Sequence, residues 1–111
     1  MKIIEEKDKA VCIFKLYGRL DSNSSQDFER KLFDSISNGS KRMVIDFKDI
    51  DYISSAGLRV ILKATKALDV ASGKLMLCAM QDYVKEVFEI AGFDTILPIA
   101  ATLDEALKDL R

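Results

Sequence analysis

Hydrophobic positions along this chain switch between two periods. Ile3-Ile4 and the run Ala10-Val11-Cys12-Ile13-Phe14-Lys15-Leu16-Tyr17 predict strands over 2–6 and 10–17, joined by a turn at Lys7-Asp8-Lys9. The second run is almost continuously apolar, as an interior strand covered on both faces should be. Phe28, Leu32, Phe33 and Ile36 then recur at helical spacing behind Ser22 to Ser25, and Asn38-Gly39 supplies the stop. Met43 to Phe47 predicts a third strand, Asp49-Ile50-Asp51-Tyr52-Ile53 a short acidic loop, and 55–71 a second helix. Leu58, Ile61, Leu62, Thr65 and Leu68 form the apolar stripe of that helix.

The alternation continues to the end. A strand is expected over Lys74 to Met80, and a helix over Asp82 to Ala91 that buries Val84, Val87 and Phe88 and stops at Gly92. Ile96-Leu97-Pro98-Ile99 reads as a short strand whose proline suits an edge position. Thr102-Leu103-Asp104-Glu105 is a capping-box pattern opening a last helix with Leu103, Leu107 and Leu110 inward. The order ββαβαβαβα predicts an α/β fold: a mostly parallel mixed sheet of about five strands, opened by a hairpin and packed by about four helices.

Composition narrows the function. A chain of 111 residues, 49% hydrophobic and 32% charged, is expected to form one folded domain. Seventeen basic residues against 18 acidic ones give a net charge of −1, with no basic run, so nucleic acid is not an expected partner. The first residues turn to charge directly after Ile3-Ile4, unlike a signal peptide, and no apolar run nears the ~18 residues of a membrane span. A cytoplasmic protein without membrane insertion is expected.

The chemistry available is limited. Cys12 and Cys78 sit in apolar runs without metal-ligand spacing and read as small buried hydrophobes. Histidine is absent, which removes the commonest general base and metal ligand. The glycines at 18, 39, 57, 73 and 92 are scattered and form no phosphate loop. Ser54-Ser55-Ala56-Gly57 lacks both the G-x-S-x-G spacing and the histidine of a serine hydrolase. Asp46, Asp49 and Asp51 do not make an aspartate-phosphorylated receiver: the chain opens with two strands, and Leu97 precedes Pro98 where a lysine is needed. They read as solvated loop acids and helix-start acids. No catalytic residue, metal ligand or cofactor is expected.

Two neutral hydroxyls at a helix start remain, and they admit two readings. Ser54 or Ser55 can be an ordinary N-cap, worth ~1 kcal/mol. Alternatively, one of them is where phosphate is added and removed, since a helix start offers free N–H groups and a positive dipole end to an anion.

The run from Val44 to Leu62 resembles the signature of the STAS domain, named for sulphate transporters and anti-sigma factor antagonists. It has an apolar strand ending in Asp, a short polar-apolar loop, an aromatic and an aliphatic residue, then Ser-Ser-Ala-Gly-Leu. Gly18-Arg19-Leu20-Asp21 is similar to the family's lead into its first helix, and Gly73 to Phe93 fits as well. The resemblance covers the whole chain, so residues 1–111 are expected to be a single STAS domain of the bacterial anti-sigma factor antagonist type.

That resemblance implies a partner switch. The dephosphorylated antagonist binds an anti-sigma factor that is also a serine kinase, and frees a sigma factor for transcription; a serine phosphatase resets the cycle. The phosphoacceptor is the serine before the small-Gly-Leu triplet, hence Ser55. The preceding position is often Asp in the family and is Ser54 here, which stands as the alternative acceptor. The expected partner surface comprises Asp21, Ser22, Asp51, Tyr52, Ser54, Ser55 and Arg59. Asp21 and Ser22 also suit helix capping, Tyr52 packing, and Arg59 either solvation or a contact with phosphate or an acidic partner. The other STAS role to weigh is a non-phosphorylated binding subunit of a stress-signalling or lipid-transport assembly.

Overall fold

The computed structural model describes residues 1–110. Among them run β1 (Lys2–Asp8), β2 (Val11–Leu20), α1 (Ser22–Ser37), β3 (Arg42–Ile53), α2 (Ser55–Val70), β4 (Lys74–Cys78), α3 (Asp82–Ile90), a 3-10 turn (Phe93–Thr95), β5 (Ile99–Ala100) and α4 (Leu103–Leu110). The strands form one sheet in the order β1-β2-β3-β4-β5. The β1–β2 hairpin is antiparallel and every later pair is parallel. This is the mixed α/β sheet and the ββαβαβαβα order expected from the sequence.

Alternation along the strands sorts the core into two layers. Cys12, Phe14, Leu16, Met43, Ile45, Phe47, Leu75 and Leu77 are buried on one face with Phe28 and Leu32 of α1, Ile61, Ala64 and Leu68 of α2, and Val84 and Phe88 of α3. Phe47 meets Phe88 edge to face, with ring centroids 5.9 Å apart, the arrangement aromatic quadrupoles favour. The opposite face carries Val11, Ile13, Val44, Met76 and Cys78, covered by Ala106, Leu107 and Leu110 of α4. Burial on both faces explains the continuous apolar runs of β2 and β3. No helix among the described residues is long and apolar enough to cross a membrane.

Several boundaries move. The hairpin turn is Lys9-Ala10, not 7–9, with Asp8 opposite Val11 and Lys9 at φ 58°. β2 continues past Tyr17 to Leu20, and the expected acidic loop 49–53 is the second half of β3. Register shifts between Lys15 and Tyr17, and again between Gly18 and Arg19, absorb extra β3 residues. Gly18 takes φ +111° there, a conformation that glycine adopts without side-chain strain. The bulges break the two-residue period, so Ile50 and Ile53 are both buried although their spacing is not a strand's.

Asp46 is no solvated acid. It is only 9% exposed, and its Oδ1 accepts the Lys48 N–H at 2.9 Å, folding over the first bulge. The expected 96–99 strand becomes Ile99–Ala100, because Phe93–Thr95 winds a 3-10 turn and Ile96 is left 57% exposed. β5 does lie at the sheet edge. On α2 the buried stripe includes Val60 and Ala64, while Leu62 and Thr65 are half-buried; Val87 of α3 is half-buried too. Thr102 Oγ1 accepts the Glu105 N–H at 3.2 Å, but the Glu105 carboxylate takes the Ala101 N–H instead of completing the box at Thr102.

Candidate partner-binding and modification site

Two neighbouring parallel strands, each running into a helix on the same face, deliver both helix starts to one edge of the sheet. β2 ends at Leu20 and β3 at Ile53, which are register partners, and the Ser54 N–H donates to the Leu20 carbonyl at 2.9 Å. The two N-caps, Asp21 for α1 and Ser54 for α2, follow directly. Residues 33 positions apart in sequence therefore form one surface.

At the α1 start, Asp21 Oδ1 accepts the N–H groups of Asn23 and Ser24 at 3.0 Å, and Ser24 Oγ accepts the Asp21 N–H at 3.0 Å. The bond from the Ser24 backbone, foremost, holds the Asp21 carboxyl below its ordinary pKa of 3.8. Ser24 Oγ also donates to the Arg19 carbonyl at 2.8 Å, tying the cap to the strand end. Ser22 is the exposed first residue of the helix.

At the α2 start the serines divide. Ser54 has extended backbone (φ −97°, ψ 169°), and its Oγ accepts the Gly57 N–H at 3.3 Å while its carbonyl accepts from Leu58. It is the cap. Ser55 is the first helical residue, and its side chain is exposed. No hydrogen bond ties its hydroxyl to another described residue. Side chains at this position point out of the helix start, beside N–H groups that have no carbonyl one turn back.

Gly57 fixes how deeply this turn sits. A Cβ there would lie 2.8 Å from Leu20 Cγ and 3.1 Å from Ile53 Cγ1, so only glycine lets α2 begin against the ends of both strands. Its role is close approach and not unusual dihedral freedom.

Of the other expected surface residues, Tyr52 is brought to the helix starts and Arg59 lies along the groove between α1 and α2 with Ser22, Ser25, Ala56 and Lys63. Arg59 is exposed and in no ion pair among the described residues. Asp51 is exposed one residue before Tyr52 and is not bonded to the rest of the group.

One residue was missed. The Arg19 guanidinium stacks 4.1 Å from the centre of the Tyr52 ring, placing an exposed cation at the rim of both caps. The signal was present: Arg19 precedes Asp21 by two, and Tyr52 precedes Ser54 by two. In parallel strands ending in step, equal offsets become neighbours, and the two are register partners.

Comparison with known proteins decides the family. The STAS domain model matches residues 2–106. BtrV of Bordetella bronchiseptica, named as an anti-sigma factor antagonist, is 40% identical over 106 residues, covering 96% of this chain and 91% of BtrV. The chain belongs to the STAS domain family.

Solved structures superpose along nearly the whole chain. A Thermotoga maritima protein, also named as an anti-sigma factor antagonist, gives a TM-score of 0.94 at 23% identity, over 98% of this chain and 94% of that one. The Bacillus cell fate determinant SpoIIAA in its phosphorylated form gives 0.79 at 20% identity, over 99% of this chain and all (100%) of that one. At such identities these likenesses speak for the fold of this STAS domain.

Proposed function

We propose that this STAS domain is an anti-sigma factor antagonist: a binding protein that captures an anti-sigma factor and thereby frees a sigma factor for transcription. We further propose that phosphorylation of Ser55 by the anti-sigma factor acting as kinase switches that binding off, and that a serine phosphatase restores it. The single observation that carries the choice of residue is the division of labour at the α2 start. Ser54 has its hydroxyl engaged by the Gly57 N–H, whereas Ser55 presents an exposed hydroxyl bonded to no other described residue.

The start of α2 offers surroundings that favour tolerance of the modification. A phosphate adds roughly −1.5 to −2 charges and strong acceptor oxygens. At the first position of α2 these meet free N–H groups and the positive end of the helix, whose first turn holds no acidic residue. The same charge buried unpaired against a partner opposes binding. The switch therefore acts at the interface, over Asp21, Ser22, Asp51, Tyr52, Ser54, Ser55 and Arg59, with Arg19 added.

Incubation with the cognate anti-sigma factor and ATP, followed by mass mapping, tests the assignment. Phosphate on Ser55 in the wild type and no label on Ser55→Ala is the expected result. Label on Ser54 would overturn the residue. Label on neither would favour a STAS binding module that works without phosphate.

A further inference from the structure

The edge of the sheet opposite the serines carries a second concave surface. Here the hairpin turn, the exits of α1 and α2 and the first residues of β3 and β4 line a half-open cavity of about 410 Å³. Lys7, Lys41, Arg42 and Lys74 line it together with the hydroxyl residues Ser40 and Ser72, and no carboxylate of a described residue is among the lining groups. None of the four cations takes part in an ion pair among the described residues. In a chain of net charge −1 this is a local segregation of positive charge.

All four cations are exposed, and two features order them around the cavity. Arg42 and Lys74 are register partners at the starts of adjacent parallel strands, which sets two positive charges side by side. Ser40 Oγ lies 2.8 Å from Ser35 Oγ, which is buried and in turn 3.5 Å from Cys12 Sγ. The wall of the cavity is thus anchored to the core. Part of the charge has a structural use, because neither α1 nor α2 has a basic residue in its last turn and cations just beyond complement the negative helix ends. That use does not require four cations to converge on one concavity.

We propose that this cavity binds a compact phosphate-type anion of two or more negative charges, the size of pyrophosphate. The Arg42 fork can take two oxygens of one phosphate, and the three lysines supply mobile point charges for the rest. The volume falls in the range of small-ligand pockets, about 300–1,000 Å³.

Amide chemical-shift mapping of the full chain, titrated with sodium pyrophosphate against sodium chloride at matched ionic strength, tests this. Saturable 1:1 shifts at Gly39, Ser40, Gly73 and Lys74, with none at Ser55, are expected. Orthophosphate should bind more weakly by roughly tenfold, and Lys41→Gln combined with Lys74→Gln should weaken pyrophosphate by at least about tenfold. Lys7→Gln, on the exposed edge strand, serves where the double variant fails to fold, and should weaken binding by about threefold. Equal shifts with sodium chloride would overturn the proposal, as would variants that melt lower while binding pyrophosphate unchanged, the behaviour of charges that serve only the helix ends.

Discussion

At Ser54 the hydroxyl works for folding, and at Ser55 it does not, so the two alanine variants should part in opposite assays. Ser54→Ala loses the bond to the Gly57 N–H and should lower unfolding free energy in urea by about 1 kcal/mol. Ser55→Ala should stay within about 0.5 kcal/mol of wild type. Asp21 adds a pH signature. Its carboxyl titrates below 3.8 when folded, so the charged form stabilises the native state above that pH and the contribution is lost as pH falls through the folded value. The stability gap between wild type and Asp21→Asn should be open at pH 7 and close below pH 3.8; a gap independent of pH would mean the charge is irrelevant to the cap. Sequence alone located both serines at a helix start but could not say which was the cap, since that depends on one residue's placement, finer than a pattern resolves.

The elements show why. Long periodic stretches such as Phe28 to Ile36 and Leu58 to Leu68 were legible because burial of one helix face repeats over several turns. The second half of β3 was not, because its bulges against β2 place Ile50 and Ile53 inward at a spacing belonging to neither period. That hidden stretch is what aligns Leu20 with Ile53 and sets the two caps side by side, so the sequence pointed to residues of the candidate site without revealing their common edge. Arg19 was overlooked for the same reason. Gly57 is the element-scale test. Gly57→Ala drives a Cβ to 2.8 Å from Leu20 Cγ and should cost about 1–3 kcal/mol in chemical unfolding, although alanine is the better helix former. A neutral or stabilising outcome would show that α2 can lift from the strand ends freely.

For the whole molecule, the order of elements and the mixed sheet were readable from alternating periods, and the layering follows from which strand faces are apolar. The resulting body has the proposed modification edge at the ends of β2 and β3 and a tight core beneath it. One consequence is an alkaline limit. Burial pushes the Cys78 thiol from 9.0 up to about 12, so between those values the unfolded chain releases a proton the native state keeps, and stability should fall as pH rises through that window. Cys78→Ala should flatten that fall in a pH series of unfolding curves; an unchanged slope would show that the thiol is not responsible.

Ser55 is exposed and its hydroxyl bonds no other described residue, so phosphate there should change what the molecule binds without changing whether it is folded. Calorimetric titration of the cognate anti-sigma factor with the unmodified and the Ser55-phosphorylated chain tests this most directly. The expected result is a loss of about a hundredfold in affinity, ~2.7 kcal/mol, with the Tm of the free protein unchanged. Equal affinity for both forms, or weaker binding accompanied by a matching loss of Tm, would contradict it.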